Sequence, residues 1–452
     1  MTAGDPAVFV LDRRSRLHTG PAGGLLVGGQ PLRVLRLAPN AQDAVTGWRA
    51  GAPVPVGPPW RLARRLHDLG LGVLRAPTTL SPADVTVVVP VSDRPTDLAR
   101  CLASLGAARV LVVDDGSRDP AAIAAVAARH GAQLLVRPVN GGPAAARNTG
   151  LARAETDLVA FVDSDCVVPP HWLDGLLTGL LDERVAVVAP RVVGAGGPGR
   201  LARYEVRHGP LDLGAEAAPV RAGGRVGHVP AAVLLCRRDA LGVGFDEALR
   251  VGEDVDLIWR LVERGLQVRY EPDVVVAHRT RGSWRAAARQ RHGYGRSAAL
   301  LDHRHPGRVA PAVLGPWAAP ALLALALRRP GVAVAVTVGS AVLLRRRLPA
   351  GPGRTLEAVR LAGSGPVRSA AGLLDCAARA WLPLLLPLAV VDRRARRLTA
   401  LAVCLRLLRT GGHPLRVLDD LAYATGVWRG AAEHRRPGVV LPRWRAVTPA
   451  GA

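Results

Sequence analysis

Lysine is absent from this 452-residue chain, so all 60 of its Lys-plus-Arg positions are arginine. With the abundance of Ala, Gly, Val, Leu and Pro, that bias marks a GC-rich coding sequence, and part of the formal charge of +24 follows from it. The rest of the charge favours phosphate groups or an anionic membrane face. Aromatic residues make up only 4%, too few for base-stacking platforms, and the arginines are dispersed, so a nucleic-acid partner is not expected. Cysteine is scarce too. Cys101, Cys166, Cys236, Cys376 and Cys404 are odd in number and form no CxxC pair. Neither a disulfide framework nor a thiolate zinc site is indicated, and a reducing compartment fits. The first residues, MTAGDPAVFVLDRRSRLHTG, lack a basic stretch followed by an apolar core, so no signal peptide is expected.

What is present is 49% hydrophobic residues, ample for a core, at a length that predicts two or three domains. Residues 1–80 hold short apolar pieces broken by Gly and Pro, then a helical WRLARRLHDLGLG, and read as a small N-terminal domain. From Asp84 to about residue 305, Val/Leu-rich strands alternate with helical segments, as in VTVVVPV, PTDLARCLASL, RVLVVDDG and DPAAIAAVAARHG. Near-continuous apolar strands of this kind predict an α/β domain: a Rossmann-like, mostly parallel sheet with helices on both faces. Residues 306–452 are hydrophobic and Arg-rich. The uncharged VAPAVLGPWAAPALLALAL, the interrupting RRP and the short GVAVAVTVGSAVLL have arginines on both flanks. Charge on both sides argues against a simple crossing, and predicts helices lying on the cytoplasmic leaflet of a membrane; a buried soluble helical domain is the alternative.

In such sheets ligands bind beyond the carboxyl ends of the strands. Acids fall there: Asp114 and Asp115 after one strand, Asp163 and Asp165 after LVAFV. Residues two apart on an extended chain face the same side, so Asp163 and Asp165 are able to share a hard divalent ion, Mg2+ or Mn2+, that keeps sites for phosphate oxygens. An isolated DxD is more often a cap or a surface turn. Here its neighbours carry the functional reading.

Those neighbours resemble the family-2 glycosyltransferases of the GT-A fold. VVVPVSDRP, VVDDGSRD, NGGPAAARNTG, FVDSD and GFDEALRVGEDVDLIWRLVERG occur in the order of that family's motifs. The resemblance implies a divalent-metal-dependent inverting transfer from a UDP-sugar. It places Pro90, Val91, Asp114, Asp115, Arg147, Asp163 and Ser164 around the nucleotide sugar. Asp165 and Asp163 hold the metal, with His278 as a third ligand. Asp254 is the base that deprotonates the acceptor hydroxyl, beside Glu253 at the acceptor sugar. Arg291 and Tyr294 stand where processive relatives carry a Q-x-x-R-W motif that is absent here, and are assigned acceptor or diphosphate contacts. Trp172 and Trp284 are open to sugar stacking or to packing. The whole arrangement is similar to the mycofactocin-system glycosyltransferases. That likeness implies glucose transfer to the peptide-derived redox cofactor mycofactocin, in β-1,4-linked chains, and a peptide-recognition role for residues 1–80. A lipid or cell-wall glycan acceptor is the alternative. A nucleotidyltransferase would need a Gly-rich phosphate loop where PVSDRP stands, and a membrane-binding scaffold would not need Asp163, Asp165 and Asp254 together.

Overall fold

Every residue of the strand Val85–Val91 is buried. Alternate side chains explain why. Val85, Val87, Val89 and Val91 pack with Leu98, Leu102 and Ile123 from two helices on one face. Val88 points the other way, against Gly150 of the helix Pro143–Arg153, where a Cβ would lie 2.2 Å from its Cγ1. The strand is thus sandwiched, as its unbroken valines require. A computed structural model describes residues 6–180, 182–315 and 317–444.

This strand lies within a nine-stranded sheet. Gln133–Arg137, Arg109–Asp115, Val85–Val91 and Leu158–Val162 run parallel in that spatial order. The sheet continues through Val233–Arg237, antiparallel to its neighbours on both sides, to Val185–Gly194 and the parallel Gln267–His278. The α/β sheet expected from the sequence is observed as mixed and mostly parallel. The reversed strand VLLCR has the same apolar composition as its parallel neighbours, so its direction was not readable.

The chain divides into two compact units. The first comprises residues 1–12, 29–31 and 47–283. It holds the large sheet, and also the strand Val8–Leu11 paired antiparallel with Gly72–Arg75. Phe9 meets Trp48 there, ring centroids 5.3 Å apart. The second comprises residues 13–28, 32–46 and 284–452. Residues 1–80, expected as one small domain, are therefore divided between the units, and the helix Trp284–Arg304 belongs to the second unit rather than to the sheet domain.

Within the second unit the strands Arg16–His18, Gly24–Gly28 and Arg33–Leu37 form an antiparallel sheet with a fully buried centre. Arg16 grips Glu357 through Nε (2.8 Å) and Nη2 (2.6 Å), and His18 Nε2 lies 2.9 Å from the same carboxylate. The helices Trp284–Arg304 and Leu415–Glu433 meet backbone to backbone: a Cβ on Gly295 would stand 2.1 Å from the Tyr423 carbonyl oxygen, and one on Gly426 2.0 Å from that of His292. The expected RRP interruption is a break at Arg328 (φ 58°) between Ala318–Ala326 and Pro330–Arg347. Among the described residues no single helix is long and apolar enough to cross a membrane. Arg354–Arg379 and Leu382–Val391, bent by 82°, reach that length and composition only as a pair.

Candidate functional site

The buried strand Leu158–Val162 ends in the Asp163-Ser164-Asp165 turn, closed by Cys166 N donating to the Asp163 carbonyl at 2.9 Å. The chain leaves as Cys166–Val167, which pairs antiparallel with the end of Gln267–His278, Cys166 opposite His278. That register carries His278 to Asp165, with Nε2 3.3 Å from Oδ1. Arg94 donates to the other oxygen, Oδ2, at 2.7 Å. Burial alone would raise the Asp165 carboxyl; the hydrogen bond and charge of His278, with Arg94 and Arg281, outweigh it and hold the group at about 2. Burial lowers His278 in turn, but Asp165 more than offsets this and the imidazole is raised.

Potential ligand atoms of Asp165, Cys166 and His278 lie within 4.8 Å of one another. Cys166 is a packing residue in this set. It is wholly buried, its Sγ donates to the Ala232 carbonyl at 3.6 Å, and burial drives its thiol far above the usual range. What remains is a carboxylate and an imidazole beside a second carboxylate, a donor set that fits Mg2+ or Mn2+ better than a thiophilic ion. Asp163 is not part of the close group; Arg147 holds it.

Arg147, expected at the nucleotide, is 3% exposed. Its helix is alanine-rich and lies flush on the sheet, so the guanidinium projects into the gap between two acidic turns. Nη2 donates to Asp163 Oδ1 at 2.6 Å, and Nη1 to Glu253 Oε1 at 3.0 Å. The Phe245 ring covers it, 5.3 Å from Cζ to the centroid. Burial opposes the charge of Arg147, but Asp163 and Glu253 hold its pKa above the ordinary value. Burial lifts Asp163; Arg147 pulls against this and Asp165 adds to it, leaving the carboxyl above its usual range.

Across Arg147 lies the start of the helix Glu253–Glu263, entered through Gly252 at φ 88° and anchored by buried Leu257, Ile258 and Leu261. Glu253 is buried, and burial and the charge of Asp254 push it up to about 7 against the pull of Arg147. Asp254 is partly exposed. Its Oδ1 accepts from Val255 N at 2.8 Å and its Oδ2 from Ala231 N at 3.3 Å. Asp256 is fully buried and held by Arg260 Nε at 2.7 Å.

On the nucleotide side, Gly116 (φ 66°) turns the chain so tightly that a Cβ would meet Asn140 N at 2.7 Å. Asp114 Oδ1 accepts from Ser117 N at 3.0 Å, while Oδ2 is buried with no hydrogen-bond partner in the protein. Asp115, expected beside it as a second nucleotide contact, is taken up by the chain: Oδ1 accepts from Arg137 Nε (2.9 Å) and Gly141 N (2.9 Å), and Oδ2 from Gly142 N (2.7 Å). Pro90 and Val91 end the first buried strand, and Ser164 is buried between the two acids of its turn. Trp172 is a core residue, 4% exposed. Arg291 and Tyr294 lie in the second unit, where Arg291 Nε pairs with Asp419 at 3.0 Å and the Tyr294 hydroxyl accepts from Gln290 at 2.8 Å. Arg94, Ser117, Arg137 and Phe245 were missed in the sequence. In a chain with 60 basic residues, all arginine, nothing in the spacing marks these two arginines as site residues.

The Glycosyl transferase family 2 model matches residues 86–242. A pre-mycofactocin glycosyltransferase of Mycobacterium tuberculosis is 38% identical over 96% of this chain and 97% of its own length. The succinoglycan biosynthesis protein ExoU of Rhizobium meliloti is 33% identical over 42% of this chain and 60% of its own. Among solved structures, the mannosyltransferase PcManGT of Pyrobaculum calidifontis, in complex with GDP-Man and Mn2+, is 18% identical with a TM-score of 0.41, covering 82% of this chain and 93% of that one.

Proposed function

This chain belongs to the family-2 glycosyltransferases, and from that premise we propose that it transfers glucose, with inversion, from UDP-glucose to the peptide-derived cofactor mycofactocin, extending a β-1,4-linked chain. One observation carries the reading. A single buried guanidinium, Arg147, joins Asp163 of the donor turn to Glu253 of the helix that presents Asp254. Donor and acceptor carboxylates are therefore held at a fixed separation, as a displacement between two bound substrates requires.

Asp165 and His278, with Asp163 beside them, would hold Mg2+ or Mn2+. The ion, when bound, stabilises the charge of the departing diphosphate. The free oxygen of Asp114 accepts from the uracil N–H. Asp254 takes the proton of the acceptor hydroxyl as that oxygen bonds to the anomeric carbon and the bond from that carbon to the diphosphate oxygen breaks. Glu253, with its raised pKa, spends part of its time protonated near neutrality, which relieves repulsion beside Asp254.

We assign the second unit to the cytoplasmic face of the membrane. It exposes an apolar patch: Leu388, Val390 and Val391 are 51%, 76% and 81% exposed. Two of its ion pairs are buried, Arg406 to Asp420 at 3.0 Å and Arg291 to Asp419 at 3.0 Å. Exposed apolar patches of this kind mark a lipid or protein contact, and flanking arginines suit anionic lipid.

The test is to incubate the full-length protein with UDP-glucose, Mn2+ and the peptide-derived acceptor, and to follow products by mass spectrometry. Successive one-hexose additions are expected. Hexose transfer only to a lipid or polysaccharide from a membrane extract would move the acceptor assignment to a cell-envelope glycan.

A further inference from the structure

Both oxygens of Asp165 are occupied within the protein, by His278 at Oδ1 and Arg94 at Oδ2. The two partners differ in how they are held. His278 is fixed at the end of a strand by its register with Cys166. Arg94 stands on a clamped turn but has a partly exposed side chain. Asp93, at φ 56°, donates from its backbone N to Ser117 Oγ at 2.9 Å. Its carboxylate accepts from Arg118 N at 2.7 Å and Arg118 Nε at 3.1 Å. Ser117 is the residue whose backbone N–H orients Asp114. The root of Arg94 is therefore tied to the nucleotide turn, while its guanidinium reaches the metal turn with 43% of its side chain exposed.

A divalent ion on Asp165 competes with Arg94 for Oδ2. A diphosphate bound to that ion offers the displaced guanidinium a new anionic partner, whose oxygens suit its bidentate fork. Arg147 is unable to play this part, being 3% exposed and engaged on both sides. We propose that Arg94 is an exchangeable cation, which neutralises Asp165 when the donor is absent and moves to the diphosphate of the nucleotide sugar when metal and donor are bound. The proposal rests on the metal-dependent donor site above. It makes metal and nucleotide bind as a pair: the ion alone must displace Arg94 without compensation, whereas ion and diphosphate together give the arginine a partner.

The test is isothermal titration calorimetry on the full-length protein, first with MnCl2 alone and then with UDP at saturating Mn2+. Arg94→Ala should bind Mn2+ alone about tenfold more tightly and UDP about tenfold more weakly, the scale of one charge-assisted hydrogen bond. Arg94→Lys, which keeps the charge and loses the planar fork, should bind Mn2+ as wild type does and UDP with an intermediate loss. Opposite signs for the two ligands are the signature, since a misfolded variant would lose both. If Arg94→Ala binds Mn2+ alone no better than wild type, or binds UDP equally well, while Asp165→Asn has lost Mn2+ uptake, the exchange is refuted and the metal site stands. If Asp165→Asn takes up Mn2+ as wild type does, the metal site falls and the exchange with it.

Discussion

The roles proposed for Asp254 and Asp165 are separable by paired variants. Asp254→Asn keeps shape and loses basicity, so transfer should fall by roughly a hundredfold or more while UDP affinity in Mn2+ is retained. Asp165→Asn should abolish Mn2+-dependent UDP binding. A collapse of UDP affinity in Asp254→Asn would place that residue in the donor site instead. His67 gives a residue-scale prediction far from the chemistry. It is 3% exposed and its Nδ1 accepts from Leu74 N at 3.0 Å. Burial, then the charge of Arg269, lowers it to about 2. The folded pKa lies below the unfolded one, so the unfolded chain binds the extra proton. Stability is full above pH 6.5 and declines as pH falls below it, by about 1.4 kcal/mol per pH unit while only the unfolded chain is protonated. Melting temperature between pH 7 and 5 should fall less in His67→Asn, whose Oδ1 is able to replace Nδ1. Equal slopes would assign the acid loss to other groups.

At the scale of elements, the seam between Trp284–Arg304 and Leu415–Glu433 depends on having no side chain at Gly295, Gly426 and Gly430. Ala favours a helix over Gly by about 0.5–1 kcal/mol. A methyl 2.0 Å from the His292 carbonyl oxygen meets backbone, which cannot rotate away, so overpacking of about 1–3 kcal/mol should win. Gly426→Ala is expected to lower the melting temperature; Gly363→Ala, with open space around it, should not. The seam was not legible in the sequence, where LDDLAYATGVWRGAAEHRRPG reads as one more amphipathic helix. Its glycines are close-packed only because a partner more than a hundred residues earlier lies against them. The parallel strands were legible because valine at both parities demands cover on both faces. The DxD turn was legible because its acids end such a strand. The partners of Arg147 were hidden: the motif NGGPAAARNTG shows an arginine early in a helix, and only the fold shows two carboxylates closing on it. The ties of Asp115 were hidden for the converse reason, because its backbone donors Gly141 and Gly142 come from a different loop.

The whole molecule comprises a sheet unit that holds the candidate site and a mostly helical unit that exposes Leu388, Val390 and Val391. If that surface meets lipid, full-length protein should float with vesicles rich in phosphatidylglycerol. A Leu388→Ser/Val390→Ser/Val391→Ser variant should float severalfold less while keeping its melting temperature, because these side chains are half or more exposed. Equal flotation would send the membrane contact elsewhere on the helices. Truncation is a poor substitute for this test. A chain cut near residue 305 keeps the helix Trp284–Arg304 and removes its glycine-seamed partner, and it strands Arg16 and His18 without Glu357.

That last tie has a temporal side. Arg16 and Glu357 are 341 residues apart in the chain. At ribosomal rates of about 5–20 residues per second, roughly 20 to 70 seconds separate the appearance of the two. The strands Arg16–His18, Gly24–Gly28 and Arg33–Leu37 leave the ribosome before the large sheet, and the helices of their own unit leave after it. The large sheet is synthesised in between, so the three-stranded sheet must wait through its synthesis for the helix that carries Glu357.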